Sequence, residues 1–128
     1  MAATILYIED NPQNMRLARK MLHTAGYQVI EAVDGMSGLH TVMNESVDLV
    51  LVDINLPDID GLQVTAQIKS MPELASLPVL ALTANAMHGD RERCLAAGCD
   101  GYIPKPVTKN ELLTMVAHFL GESERRVV

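Results

Sequence analysis

Five residues with chemistry to offer each follow an apolar run. Glu9 and Asp10 follow Ile5-Leu6-Tyr7-Ile8, Asp53 follows Leu49-Val50-Leu51-Val52, Thr83 follows Val79-Leu80-Ala81-Leu82, and Lys105 lies just past Tyr102-Ile103. A lone Asp in such a place is most often a helix cap, and a lone Lys is usually solvated. Five together at successive run ends need another explanation. Two carboxylates about 5 Å apart repel by roughly 3 kcal/mol at an effective dielectric near 20. Three raise one another's pKa values unless a cation sits among them. An all-oxygen donor set suits Mg²⁺, or Mn²⁺, rather than zinc. The Lys105 ammonium and the Thr83 hydroxyl suit the oxygens of a phosphoryl group. An ionised Asp53 needs no base to act as a nucleophile, and carboxylates do form acyl phosphates. The chemistry these types imply is phosphoryl transfer onto Asp53, carried by positioning and charge neutralisation.

Residues so far apart in sequence meet only if the runs before them lie side by side. The first, third and fourth runs are continuously apolar, as strands covered on both faces are; Val29-Ile30 and Tyr102-Ile103 complete five. Helical spacing fills the gaps. Met15, Ala18, Leu22 and Ala25 share one face of a first helix, and Leu112, Val116 and Phe119 one face of a last. Asn11 before Pro12 reads as an N-cap with proline at the first helical position, and Gly26 as the stop. Thr108-Lys109-Asn110-Glu111 matches a capping box, with Gly121 beyond the last apolar position. Pro57 and Gly61 mark the loop after the third strand; Pro72 and Pro78 bracket the way into the fourth.

Strand and helix thus alternate five times, which predicts an α/β fold: a doubly wound, five-stranded parallel sheet of order 2-1-3-4-5, flavodoxin-like, with helices on both faces. Ligands of such sheets bind beyond the carboxyl ends of the strands, near the switch between the first and third. Those are the ends that carry Glu9, Asp10 and Asp53.

Composition narrows the classes. The chain has 128 residues, 48% hydrophobic and 20% charged, enough for one domain with a core of its own. Ten basic against sixteen acidic residues leave a net charge of −6, which speaks against a nucleic-acid binder or a polybasic membrane contact. No apolar run is long enough to span a bilayer, and Met1-Ala2-Ala3 does not begin a signal peptide. A cytoplasmic setting is expected. Cys94 and Cys99 lack the partners of a zinc site and read as buried reduced thiols. His23, His40, His88 and His118 are scattered in or beside helices and read as structural.

With these residues in place, the sequence resembles the CheY-like receiver domains of two-component response regulators, over about residues 4 to 120. The resemblance rests on Ile8-Glu9-Asp10-Asn11, Val52-Asp53-Ile54-Asn55-Leu56-Pro57, Asp60-Gly61, Leu82-Thr83-Ala84 and Gly101-Tyr102-Ile103-Pro104-Lys105-Pro106. The Glu-Asp-Asn opening and the stretch Ala81-Leu82-Thr83-Ala84-Asn85-Ala86-Met87 are similar to receivers of hybrid sensor kinases and to stand-alone regulators such as DivK. The resemblance implies a receiver over 1–122 with a polar tail at 123–128, a phosphoacceptor rather than an enzyme in its own right. Asp53 would take phosphate from a histidine kinase or histidine phosphotransfer protein. Asp10 and Asp53 would hold Mg²⁺ through side chains, Asn55 through its backbone carbonyl and Glu9 through water. Lys105 would pair with the phosphoryl group, and the Lys105-Pro106 bond would be cis. Thr83 and Tyr102 would form the switch, re-shaping the face of helix 4, strand 5 and helix 5 for an effector protein. Asn55 and Asn85 would govern how water reaches the acyl phosphate, unless they are only turn-tolerant loop residues. Monomer and phosphorylation-dependent dimer both fit. With no output domain, direct DNA binding is not expected.

Three other readings compete. A haloacid-dehalogenase-type phosphatase also joins an Asp nucleophile to Mg²⁺, Thr and Lys, but it expects its paired Asp residues after the first strand and a cap domain. A flavodoxin-like cofactor binder would want a Ser/Thr-rich phosphate loop and aromatic residues around the ring, and the chain is 3% aromatic with no Trp. A non-phosphorylated interaction module would not need intact acceptor, metal and clamp positions.

Overall fold

A computed structural model describes residues 2–84 and 89–121. Asn85, His88 and the 123–128 tail lie outside the described residues.

Strands β1 (Thr4–Ile8), β2 (Gln28–Ala32), β3 (Leu49–Asp53), β4 (Val79–Thr83) and β5 (Gly101–Pro104) alternate with helices α1 (Pro12–Thr24), α2 (Gly35–Asn44), α3 (Gly61–Ser70), α4 (Asp90–Ala97) and α5 (Lys109–Leu120). All strand pairs are parallel, in the order β2-β1-β3-β4-β5, as the alternation predicts. Every residue of β3 and β4 is buried.

Side chains that alternate across the sheet divide the core in two. Ile5, Tyr7, Leu49, Leu51, Leu80, Leu82 and Ile103 pack with Met15, Ala18 and Leu22 of α1 and Leu112 and Val116 of α5. On the other face Leu6, Ile8, Val50, Val52, Val79 and Ala81 meet α2, α3 and the two cysteines. Cys94 and Cys99 are free thiols, both buried. His23, His40 and His118 are exposed. No helix among the described residues is long and apolar enough to cross a membrane.

The caps fall where the sequence signals them. Asn11 Oδ1 accepts from the N–H groups of Gln13 and Asn14 with Pro12 opening the helix, and Gly26 follows the last turn at φ +94°. One expectation fails there. Ala25 is exposed, because the helix ends at Thr24 and Ala25 is already its C-cap; Tyr27 covers that end of the core instead. At α5 the Thr108 hydroxyl accepts from the Glu111 N–H at 3.2 Å and donates to the Glu111 carboxylate at 3.1 Å. The box is thus closed through the hydroxyl.

Gly61 does more than mark a loop. A Cβ there would stand 2.2 Å from the backbone carbonyl oxygen of Asp53 and 2.9 Å from the Ile54 Cα, while its N–H donates to the Ile54 carbonyl at 2.9 Å. The first residue of α3 therefore lies against the backbone of the end of β3, where only a hydrogen fits. Gly61→Ala is expected to lose about 2–3 kcal/mol of stability from this overlap, seen as a lower urea midpoint with unchanged slope. An unchanged midpoint would show that the loop yields freely.

Candidate functional site

The sheet register builds the site. β1 and β3 pair as Ile8↔Val52, so the next residues, Glu9 and Asp53, face each other across adjacent strand ends. Asp10 follows, exposed. One carboxylate oxygen from each of Glu9, Asp10 and Asp53 lies within 4.8 Å of the others, a group able to hold a metal ion. On the other side β3 pairs Asp53 with Leu82, and β4 pairs Thr83 with Pro104. Lys105 then extends β5 by one bond, its N–H on the Thr83 carbonyl at 2.8 Å. The Lys105–Pro106 bond is cis, as the resemblance implies.

Both oxygens of Asp53 are engaged. Oδ1 accepts from the backbone N–H of Asn55 at 2.9 Å, and Oδ2 from Lys105 Nζ at 2.7 Å. The residue is 3% exposed, so its carboxylate is held almost out of water, with an ammonium and an amide on its two oxygens. Lys105 also comes within 3.8 Å of Glu9.

Glu9 is 1% exposed. Its Oε1 accepts from the Tyr7 hydroxyl at 3.1 Å and its Oε2 from the Asn11 N–H at 3.2 Å. Burial, and then the hydrogen bond and charge of Asp53, push the Glu9 carboxyl up to about 7, against the opposing pull of Asn11 and Lys105. Burial and the same carboxylate hold the Tyr7 phenol firmly protonated. Sequence patterning places Tyr7 only in the core; nothing local says that its hydroxyl would hold the site's most buried acid.

Thr83 ends β4, and Tyr102 lies on β5. The Thr83 hydroxyl donates to Asp90 Oδ2 at 2.6 Å, on the first residue of α4. Tyr102 is partly buried against the α2–α3 side of the core and borders a cleft of about 340 Å³ with Asn110, Thr114 and Met115 of α5. Asn55 is exposed. Asp90 went unnoticed in the sequence, since its partner is seven residues away across a loop. Arg93, which ion-pairs with Asp90 at 2.7 Å, went unnoticed with it.

The donor set fits a hard divalent cation: carboxylates alone, two of them buried, with a proton retained on Glu9 where no cation offsets the crowding. Without metal, native Glu9 keeps its proton up to about 7, whereas the unfolded chain releases it near 4.5. The native state binds more protons in that window, so stability must fall as pH rises through it and level off above. Glu9→Gln should remove that slope and raise metal-free stability near pH 8 by about 1–3 kcal/mol. Urea titrations in chelator at about pH 5 and about pH 8 measure it, and parallel profiles for the two proteins would contradict it.

The comparisons with known proteins converge on one family. Residues 5–117 match the response regulator receiver domain. The polar-differentiation response regulator DivK of Brucella ovis is 37% identical over 123 residues, 96% of this chain and the whole of that protein. The receiver domain of the sensor histidine kinase PA1611 of Pseudomonas aeruginosa, solved with a magnesium ion coordinated in its active-site cleft, superposes with a TM-score of 0.89 at 36% identity, covering 94% of this chain and 99% of that one. A response regulator structure from Chloroflexus aurantiacus gives 0.92 at 28% identity over the same shares. Joined to the parallel sheet and the acidic cluster at its switch point, these likenesses make the chain a member of the response regulator receiver family.

Proposed function

We propose that Asp53 is the residue that carries the phosphoryl group. The family gives the frame: a receiver of two-component signalling, a phosphoacceptor regulator whose donor is a histidine kinase. The assignment within that frame rests on Asp53 being, among the described residues, the one acid both nearly buried and bracketed by hydrogen bonds from Lys105 Nζ and a backbone N–H at the mouth of the sheet.

In the transfer an Asp53 oxygen forms a bond to phosphorus as the phosphorus–nitrogen bond of the donor phosphohistidine breaks. The imidazole nitrogen keeps the electron pair. Lys105 follows the charge from the carboxylate to the phosphoryl oxygens, and the Asn55 N–H stays on the aspartyl oxygen it already holds. Asp10 and Asp53 would hold Mg²⁺ through their side chains, with Asn55 contributing its carbonyl and Glu9 acting through water. When bound, the ion supplies the positive charge that neutralises the crowded oxygens. Magnesium in the cleft of the PA1611 receiver supports this, as does the triad itself.

The signal would leave through Thr83 and Tyr102. The hydroxyl turns to a phosphoryl oxygen and the ring closes behind it, changing the face of α4, β5 and α5 where an effector, or a second copy, docks. The cleft beside Tyr102 gives that ring room to move. A cytoplasmic setting suits the two free thiols and a kinase donor. The family set aside the phosphatase and flavin readings, because a receiver turns over no ester and needs no ring-binding loop.

Incubation with acetyl phosphate and Mg²⁺ should attach an acid-stable, hydroxylamine-labile phosphate. Asp53→Asn should take up none, Lys105→Ala should react about 10²-fold more slowly, and excess chelator should abolish uptake. Undiminished labelling of Asp53→Asn would overturn the assignment.

A further inference from the structure

The Thr83 hydroxyl is committed to a partner on α4. It donates at 2.6 Å to Asp90 Oδ2, and Asp90, the first residue of α4, is 6% exposed. Its other oxygen accepts from Arg93 Nη1 at 2.7 Å. The second arm of the same guanidinium reaches Asp60 Oδ2 at 3.5 Å, and Asp60 caps α3 through the Leu62 N–H at 2.8 Å. Gly89, before α4, offers no side-chain cap. An acid in the first turn of a helix usually faces its free N–H groups or solvent. Here the carboxylate turns inward, to the end of β4.

A hydroxyl has one proton and donates it to one acceptor at a time. If Thr83 recognises the phosphoryl group on Asp53, as the proposed function requires, the proton must leave Asp90 first. A buried hydroxyl on a carboxylate is a charge-assisted bond, stronger than one between neutral groups. It therefore weighs on the balance between resting and phosphorylated conformations. A more highly charged phosphoryl group competes for the same proton, so the balance can be tipped without a new fold.

We infer that Asp90, oriented by Arg93, is a positioning residue that latches Thr83 in the resting conformation, so that phosphorylation of Asp53 works by out-competing the Asp90 carboxylate for the Thr83 proton. The latch rests on the assignment of Asp53. It also gives the signal a route to α4: when Thr83 leaves, the first turn of α4 loses its hydrogen bond to the end of β4, while Cys94 stays packed in the core.

The apparent affinity of a ligand that selects the minor state falls with the population of that state. Beryllofluoride, a non-transferable mimic of a phosphoryl group, with Mg²⁺ is the probe, titrated by calorimetry or amide NMR. Asp90→Ala should bind it about tenfold more tightly than the wild type, a shift set by the loss of one charge-assisted bond. Asp90→Asn, which keeps the shape but offers a neutral acceptor, should bind about threefold more tightly and serves if the alanine variant does not fold. In a Thr83→Ala background neither change should matter, because the latched proton is gone. Equal or weaker binding by both Asp90 variants, or tightening that persists without the Thr83 hydroxyl, would overturn the latch. Failure of the wild type to bind the probe in an Asp53-dependent way would instead refute the acceptor assignment, and the latch with it.

Discussion

The structure is organised around a repulsion. Two adjacent parallel strands, β1 and β3, end in acids that the register sets face to face, and folding buries two of the three carboxylates in the group. Left alone, such crowding would be relieved by swinging a side chain into solvent. Several contacts prevent that. Lys105 bonds to Asp53 and leans toward Glu9, the N–H groups of Asn11 and Asn55 each take one oxygen, and the Tyr7 hydroxyl pins Glu9 from inside the core. What remains is a site that retains a proton and suits a cation, a store of electrostatic free energy offset by the apolar packing beneath it.

The rest of the fold serves to keep that arrangement rigid. Because β3 and β4 are buried throughout, Asp53 and Thr83 project from strands whose slippage would carry a polar end residue into the apolar core. The loop after β3 is pinned from two sides. Gly61 brings α3 onto the Asp53 backbone, and the Asp58 carboxylate accepts from the N–H groups of Gly35 and Met36 at the start of α2. Near the far end of β4, Asp100 takes the Val79 N–H while Lys69 ties it to the Ala75 and Leu77 carbonyls. These contacts fix Asp53 between a buried strand and two anchored helices.

How much of this could be read from the sequence depends on the range of each interaction. The strands, their order and the acids at their ends were legible, since burial on both faces leaves continuous apolar runs and the end residues follow directly. Caps such as Asn11 and Thr108 were legible because donor and acceptor lie within three residues. Ala25 misled because helical periodicity does not reveal where a helix stops; the turn through Gly26 took it out of the buried face. Asp58 capping a helix 23 residues away, the close approach at Gly61 and the Tyr7 hydroxyl beneath Glu9 depend on tertiary placement and leave no local pattern. Asp90 lies between: near Thr83 in sequence, yet joined to it only because α4 starts beside the end of β4.

That last contact bears on how a small chemical event can move a helix. A phosphoryl group on Asp53, as proposed, would add charge at a point already bonded to Lys105, so most of its immediate effect would be absorbed where it lands. To act beyond, it must change a bond that spans two elements. Tyr102 is packed into the side of the core and borders a cleft, so it is placed to follow a movement. Thr83 is held to α4 by a short hydrogen bond to a carboxylate that is itself held by Arg93. A single proton that must choose between the Asp90 carboxylate and, as proposed, a phosphoryl oxygen is a discrete choice rather than a graded strain, and packed elements respond to discrete choices by exchanging one arrangement for another. On the proposed function, the direction of signalling, from the end of β3 through that of β4 to α4, would follow from which acceptor the Thr83 hydroxyl serves.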